Sequence, residues 1–265
     1  MLKGALHIHS TYSDGEFTLR ELRKIFTADG CAFACMTDHA EFFNEEKLKA
    51  YISECESLSD DRFRFIAGLE YDCEERMHIL GYGVTSLVST RDPQQVIRHI
   101  EREGGVSVIA HPKDTAFAQI EAMEILPHGI ETWNTKSDGR HAPRSSTFRL
   151  LHRLQARKPE MYAFYGQDLH WKPQYRGLYN VVRCQAPLRT QILDALRRGM
   201  YFGIKGYLEL PSDGELPATC LADFDCIRKR SERIRQLLLR VKSGITSAGL
   251  TVPAPLKSQL RRIFE

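Results

Sequence analysis

Seven short runs of apolar, β-branched or aromatic residues, at 4–9, 32–37, 63–70, 78–84, 106–110, 129–133 and 161–166, constrain what this chain can fold into. Their lengths are those of strands, and the stretches between most of them have the spacing of amphipathic helices. Strands alternating with helices imply a parallel sheet covered by helices, an α/β fold. The rhythm lasts long enough for a barrel as well as an open sheet. It is imperfect between 63–70 and 78–84, where only a short polar turn intervenes.

The helical stretches carry their own punctuation. Thr18 caps the first, Leu19, Leu22, Ile25 and Phe26 face one way, and Gly30 ends it. A second spans 44–58, with Leu48, Tyr51, Ile52 and Cys55 as its apolar stripe. A third opens with Asp92 as cap and Pro93 at the first helical position, and stops at Gly104-Gly105. Further helices are expected at 115–125, 145–156 and 190–198. After Gly177 the character changes: strands are expected at 178–184 and 201–210, a turn at Ser212-Asp213-Gly214, a basic helix at 223–242 and an irregular tail containing Pro253 and Pro255.

Composition excludes several classes. A net charge of +3 on 265 residues is nearly neutral, which disfavours a dedicated nucleic-acid binder without repelling a phosphorylated substrate. No signal peptide is read at Met1-Leu2-Lys3-Gly4, and no apolar run has the length of a membrane span. The seven cysteines are odd in number, scattered and without a CxxC pair, so they read as reduced thiols of a cytoplasmic protein.

The ends of the runs carry the chemistry. His7-Ile8-His9 ends the first, and strand alternation would turn both rings to one side. Asp14 follows in the loop. Asp38-His39 ends the second run, Glu70 the third, and His78 opens the fourth. His111 ends the fifth, Glu131 and Asn134 the sixth, and Asp168-Leu169-His170 the seventh. Imidazoles and carboxylates gathered at strand ends are what a metal site on such a fold requires. One such residue is weak evidence, since a lone strand-end histidine is as often structural. The coincidence carries the argument: six of the ten histidines fall at these boundaries, and His99, His128, His141 and His152 read as ordinary surface residues.

His-x-His, Asp-Gly, Thr-Asp-His, Gly-Leu-Glu, His-Ile-Leu-Gly-Tyr, Ala-His-Pro, Gly-Ile-Glu and Asp-x-His, in that order over residues 4–205, resemble the motif series of the PHP (polymerase and histidinol phosphatase) family. The resemblance implies a distorted (β/α)7 barrel at 1–205, with 206–265 as a C-terminal extension packed on it. It implies two or three divalent ions, Mn2+, Fe2+ or Zn2+. Their ligands would be His7, His9, Asp14, His39, Glu70, His78, His111, Asp168 and His170, with Asp38 just outside, orienting a ligand. The implied activity is hydrolysis of a phosphate ester by a metal-bound hydroxide. Glu70 and Asp168 would bridge ions, and they and His170 form the expected catalytic set.

Lys113, directly after Ala-His-Pro, is the first candidate to hold the substrate phosphate. Asn134, with Trp133, is expected to line the pocket. Arg140, His141 and Arg144, in the polar loop 135–147, are weaker candidates. The expected substrate is small, of the nucleotide, sugar phosphate or histidinol phosphate type, with nucleic acid less favoured. Two other readings remain: hydrolysis of an amide or carbamate on the same barrel, and a non-catalytic scaffold for the basic helix. That helix carries Ile227, Ile234, Leu237, Leu238 and Val241 at helical spacing, a stripe expected to be core, although a docking surface is the alternative.

Overall fold

The computed structural model describes residues 1–247, and the expected irregular tail lies outside them. The strands are β1 (Leu2–Ile8), β2 (Phe33–Met36), β3 (Asp38–His39), β4 (Arg64–Ile66), β5 (Gly68–Asp72), β6 (His78–Tyr82), β7 (Val106–Ala110), β8 (Gly129–Asn134), β9 (Tyr162–Gly166), β10 (Tyr179–Val182), β11 (Tyr201–Lys205) and β12 (Leu208–Pro211). The helices are α1 (Leu19–Ala28), α2 (Glu45–Ser57), α3 (Pro93–Arg102), α4 (Phe117–Ala122), α5 (Ser145–Gln155), α6 (Arg189–Arg197) and α7 (Ala218–Ser247).

The helix starts obey local chemistry. Thr18 and Glu21 form a reciprocal capping box on α1, Asn44 accepts from Lys47 N at 2.8 Å on α2, and Asp92 accepts from Gln94 N with Pro93 in the first turn of α3. The expected helix at 115–125 shortens to α4, because a 3-10 turn (Asp114–Ala116) uses its first residues.

The strands make two six-stranded sheets, in the orders β12-β11-β10-β1-β2-β4 and β3-β5-β6-β7-β8-β9. They meet along one seam where Ile8 bridges Leu169, with His9 N donating to Leu169 O at 3.0 Å and Leu169 N to His7 O at 3.2 Å. At a second seam β2 runs into β3 one residue later. The architecture is therefore α/β with mixed sheets. No single ladder closes among the described residues. The βα alternation breaks twice: β6 runs antiparallel to both β5 and β7, and β10 to β12 form an antiparallel meander against β1.

The apolar run 63–70 is two strands in different sheets, β4 beside β2 and β5 between β3 and β6. Gly68 sits at the crossing. A Cβ there would lie 2.5 Å from Gly81 O and 2.6 Å from Met36 O, so only glycine lets the three backbones approach. The expected strand 201–210 is likewise a hairpin, β11–β12, turned at Gly206 (φ +59°). β12 extends the first sheet, so the chain beyond 205 begins inside the sheet.

α7 is longer than the expected basic helix and less covered. Phe224 is buried, with its ring 6.4 Å from that of Phe148 on α5, and Ser145 Oγ donates to Asp225 at 2.6 Å. Further along, Ile234, Leu237 and Val241 are 44%, 62% and 51% exposed, which corrects the expectation that this stripe is core. Helical spacing sets which residues share a face, not whether anything packs on it. No helix among the described residues is long and apolar enough to cross a membrane.

Candidate metal centre

Glu70, at the middle of β5 and 1% exposed, is the hub. Its Oε2 lies 3.2 Å from His7 Nε2, 3.2 Å from His9 Nε2 and 3.6 Å from His39 Nδ1. Its Oε1 lies 2.7 Å from His78 Nδ1 and 3.2 Å from His111 Nε2. Five imidazoles from β1 and its following loop, β3, β6 and the loop after β7 thus converge on one carboxylate. Asp168 stands on the opposite side. Its Oδ1 is 3.7 Å from both His7 and His9, and 3.2 Å from His170 Nδ1. Asp14, half-exposed on its loop, closes a third corner, with Oδ1 3.3 Å from His170, 3.7 Å from His39 and 3.8 Å from His9.

All nine residues expected as ligands therefore meet in one place. Their donor atoms form three overlapping groups: His9, Asp14, His39 and His170; His7, His9 and Asp168; and His7, Glu70 and His111. His78, outside these groups, joins through Glu70 Oε1 and through ring contacts with His111 and His39. The backbone is bent to achieve this. His7, His111 and Asp168 have φ of 61°, 28° and 54°, three of the five non-glycine residues with positive φ among those described. Such backbone is costly and concentrates at functional sites. At His7 it produces a bulge, the register against β2 shifting between Leu6 and Ile8. Simple strand alternation is thus not what turns His7 and His9 to the same side. Gly166 floors the site: a Cβ there would fall 1.7 Å from Glu131 Oε1.

Buried charges of both signs shape the protonation. Burial opposes a charged imidazole on His7, but Glu131, Asp168 and Glu70 outweigh it and hold its pKa well above the ordinary value. On His9 burial wins and drives the pKa down to about 3. Burial also lowers His170, whereas on His111 it is outweighed by Glu70, and the pKa rises. Glu70 is held well below the usual carboxylate range, burial being overcome by His7 and by hydrogen bonds from His111, His7 and His78. Asp168 is lowered likewise, against burial, by His7 and His111.

These residues fit divalent ions. Nδ1 of His9, itself fully buried, and Nδ1 of His39 have no hydrogen-bond partner among the described residues. Buried imidazole nitrogens left unpaired are costly unless their lone pairs coordinate something. The mixed nitrogen and oxygen set suits first-row divalent metals.

Several supports had no assigned role in the sequence. Glu131 Oε1 lies 2.8 Å from His7 Nδ1, and its Oε2 accepts from His111 N at 2.8 Å and from Asn134 Nδ2 at 2.9 Å. It fixes the His7 ring so that Nε2 points at Glu70 and Asp168. Lys136 places Nζ 3.0 Å from Asp168 Oδ1, and only its place two residues after Asn134 hints at it. The Asp38 carboxylate, expected to orient a ligand, makes no hydrogen bond to an expected ligand among the described residues. It accepts from Ser10 N at 2.8 Å and Ser13 Oγ at 2.7 Å, bracing the loop between His9 and Asp14.

Of the expected phosphate-holding residues, Lys113 is exposed at the rim of the metal cavity. Asn134 is fully buried and donates to Glu131 and to Asp168 at 3.2 Å, so it positions carboxylates. The Arg144 guanidinium binds Asp138 at 2.6 Å, Asp114 at 2.8 Å and Pro112 O, which makes it a brace for the segment carrying Lys113. His99, His128 and His152, expected as surface residues, are half-buried and hydrogen-bonded to Ser86 O, Ser107 and Gly214 O.

Residues 5–120 match the family model described as the PHP domain. The matched span holds His7, His9, Asp14, His39, Glu70, His78 and His111. Asp168 and His170 lie beyond the matched span but complete the same cluster. The chain is 24% identical to the DNA polymerase/3'-5' exonuclease PolX of Bacillus subtilis (strain 168), over 87% of its own length and 42% of the relative's. It thus spans less than half of that curated relative. Among solved structures it is similar to a two-domain protein of Bacteroides vulgatus ATCC 8482 containing a predicted PHP-like metal-dependent phosphoesterase. That likeness has a TM-score of 0.55 and 19% identity, over 79% of this chain and 66% of that one. It is also similar to PsfC of Pseudomonas syringae PB-5123, with a TM-score of 0.50 and 11% identity over 86% and 98%. These two likenesses speak to the fold alone.

Proposed function

We propose that this PHP-domain chain hydrolyses a phosphate ester at a multinuclear metal centre. The convergence of five imidazoles on the two oxygens of Glu70 carries the reading. One ion uses no more than about six ligands, and nine donors around a shared carboxylate suit two or three. His7, His9, Asp14, His39, Glu70, His78, His111, Asp168 and His170 would hold Mn2+, Fe2+ or Zn2+, with Glu70 and Asp168 supplying the carboxylates most closely surrounded by imidazoles. When bound, the ions acidify a water and offset charge on the phosphoryl oxygens.

The chain's own groups do the rest. Glu131 locks the His7 tautomer, and Asn134 holds the facing carboxylates of Glu131 and Asp168 apart and in register. Lys136, part-exposed with Nζ 3.0 Å from Asp168 Oδ1, neutralises a non-bridging phosphoryl oxygen. Lys113 attracts the dianion at the rim, on a segment that Arg144 keeps in place.

The test is metal content and phosphate release on one sample. At least two equivalents of transition metal and turnover of 4-nitrophenyl phosphate are expected, with Lys136→Ala raising KM while retaining the metals. Metal-loaded protein that cleaves an amide or carbamate but no phosphate ester would overturn the reading in favour of a different hydrolase.

A further inference from the structure

Five non-glycine residues have positive φ among those described, and three of them, His7, His111 and Asp168, belong to the metal centre. The other two are Glu75 and Arg76, with φ of 59° and 55°. They form the tip of the hairpin that joins β5 to β6. Arg76 lines the same cavity as His78, Glu70 and Asp168. All backbone of this kind therefore lies at the metal cavity or one residue from it.

The turn is tight and held from both sides. Cys73 N donates to Met77 O at 2.8 Å, and Met77 N to Glu74 O at 3.1 Å. Cys73 and Met77 are buried. On the outer side Glu74 N donates to Arg91 O at 2.9 Å, and the Arg91 guanidinium lies 2.8 Å from Asp72. A two-residue turn with both central residues at positive φ suits an antiparallel hairpin, and Asn-Gly adopts it at least cost. Here Glu-Arg stands in its place. Turn chemistry does not call for an arginine at this point, and strained backbone concentrates where a side chain is needed for function.

The Arg76 side chain is also uncommitted. It makes no hydrogen bond and no ion pair among the described residues, although Asp72, Glu74 and Glu75 are close in sequence. Asp72 is taken by Arg91, and Glu74 and Glu75 form no ion pair among the described residues. Three cations line the metal cavity: Arg76, Lys113 and Lys136. Lys136 already faces Asp168 at 3.0 Å. Of the three, only Arg76 offers a planar fork of donors, which matches two oxygens of one oxyanion at once.

We propose that Arg76 is a substrate-binding residue that grips two phosphoryl oxygens from the hairpin side of the cavity, across from Lys136. The inference rests on the phosphoesterase reading and adds a residue to it. The left-handed turn holds the guanidinium over the mouth, and His78, two residues on, ties the base of the hairpin to Glu70 at 2.7 Å. The hairpin thus links the phosphate grip to the metal hub through five residues of chain.

The experiment uses the full, metal-loaded chain with Arg76→Ala, Arg76→Lys and Arg76→Gly. Metal content, inorganic phosphate affinity by titration calorimetry and steady-state turnover of 4-nitrophenyl phosphate are read on each preparation. Arg76→Ala should weaken phosphate binding and raise KM by roughly tenfold or more, the loss of a charged paired contact, with metals retained. Arg76→Lys keeps the charge without the fork and should fall between wild type and Arg76→Ala. Arg76→Gly relieves the backbone while removing the guanidinium, so its unfolding midpoint should hold or rise as phosphate affinity falls. Phosphate affinity within about twofold of wild type in Arg76→Ala overturns the proposal, as does an affinity lost only together with the metals. Arg76→Lys equal to wild type overturns the fork, and Arg76→Gly that unfolds earlier with its affinity intact makes the arginine structural. If no preparation hydrolyses a phosphate ester and Arg76→Ala still weakens phosphate binding, the phosphoesterase reading fails and the grip stands.

Discussion

The metal centre and α7 are built on opposite principles. Glu70 is tied by five imidazoles from separate segments of the chain, and the backbone around it adopts positive φ at three residues to keep them there. α7 is tied near its start, through Phe224, Asp225 and Arg228, and beyond them Ile234, Leu237 and Val241 are exposed among the described residues. Contacts from many segments make each residue of the centre depend on the others. A helix held at one end should tolerate change in proportion to its distance from the anchor.

The largest expected effect is at the hub. Glu70→Gln keeps the shape and removes the charge facing five imidazoles, so metal content should fall below one equivalent. Phosphate-ester turnover should fall by roughly a thousandfold, about 4 kcal/mol in the barrier. Elemental analysis and steady-state rates on one preparation check this. Retained metal with near-normal turnover would show that the hub is not a ligand.

Phe224→Ala attacks the anchor of α7. Emptying a buried aromatic site costs about 3 kcal/mol, read in denaturant unfolding. Metal content should stay unchanged, which separates the two regions. Loss of metal in this variant would couple them and break the comparison.

The two regions also differed in how legible they were from sequence. The cluster was readable because chemistry-bearing residue types recur at the ends of runs, and that order survives any error in strand boundaries. The split of 63–70 into β4 and β5 was not, because Ala67 and Gly68 continue an apolar pattern and the break comes from a crossing of three backbones. Glu131 was visible as a strand-end acid, but its pairing with His7, 124 residues away, is a property of the folded arrangement. Lys136 carried no signal apart from its neighbours. In α7 the periodicity was real and its interpretation failed, since spacing alone does not reveal what covers a face.

Glu131→Gln should weaken metal binding by about 10- to 100-fold, the effect of losing a carboxylate that orients a ligating histidine. Competition with a chelator measures it. A smaller change would demote Glu131 from positioning residue to filler.

The same pair predicts a pH dependence. The His7 pKa is raised because Glu131, Asp168 and Glu70 outweigh burial, so metal-free protein holds a proton there below that raised value. An ion binds the neutral ring and must displace this proton. Metal affinity should therefore rise with pH below the raised pKa, by up to about tenfold per unit for the one proton, and level off above it. In Glu131→Gln the rise should end at a lower pH, because the anion that most favours the proton is gone. An unchanged profile would place the displaced proton on another group.

The smallest expected effect is at the far end of α7. Leu237 is 62% exposed, so Leu237→Ala removes little apolar surface that folding had taken from water. Alanine also has the higher helix propensity, by a few tenths of a kcal/mol, and this offsets part of what is lost. The net change in unfolding free energy should lie within about 0.5 kcal/mol, several-fold below the expected cost at Phe224. A loss above about 1.5 kcal/mol that depends on protein concentration would mean that a second copy covers the stripe. The same loss without concentration dependence would place the cover within the chain, and in either case α7 would no longer be a helix held at one end.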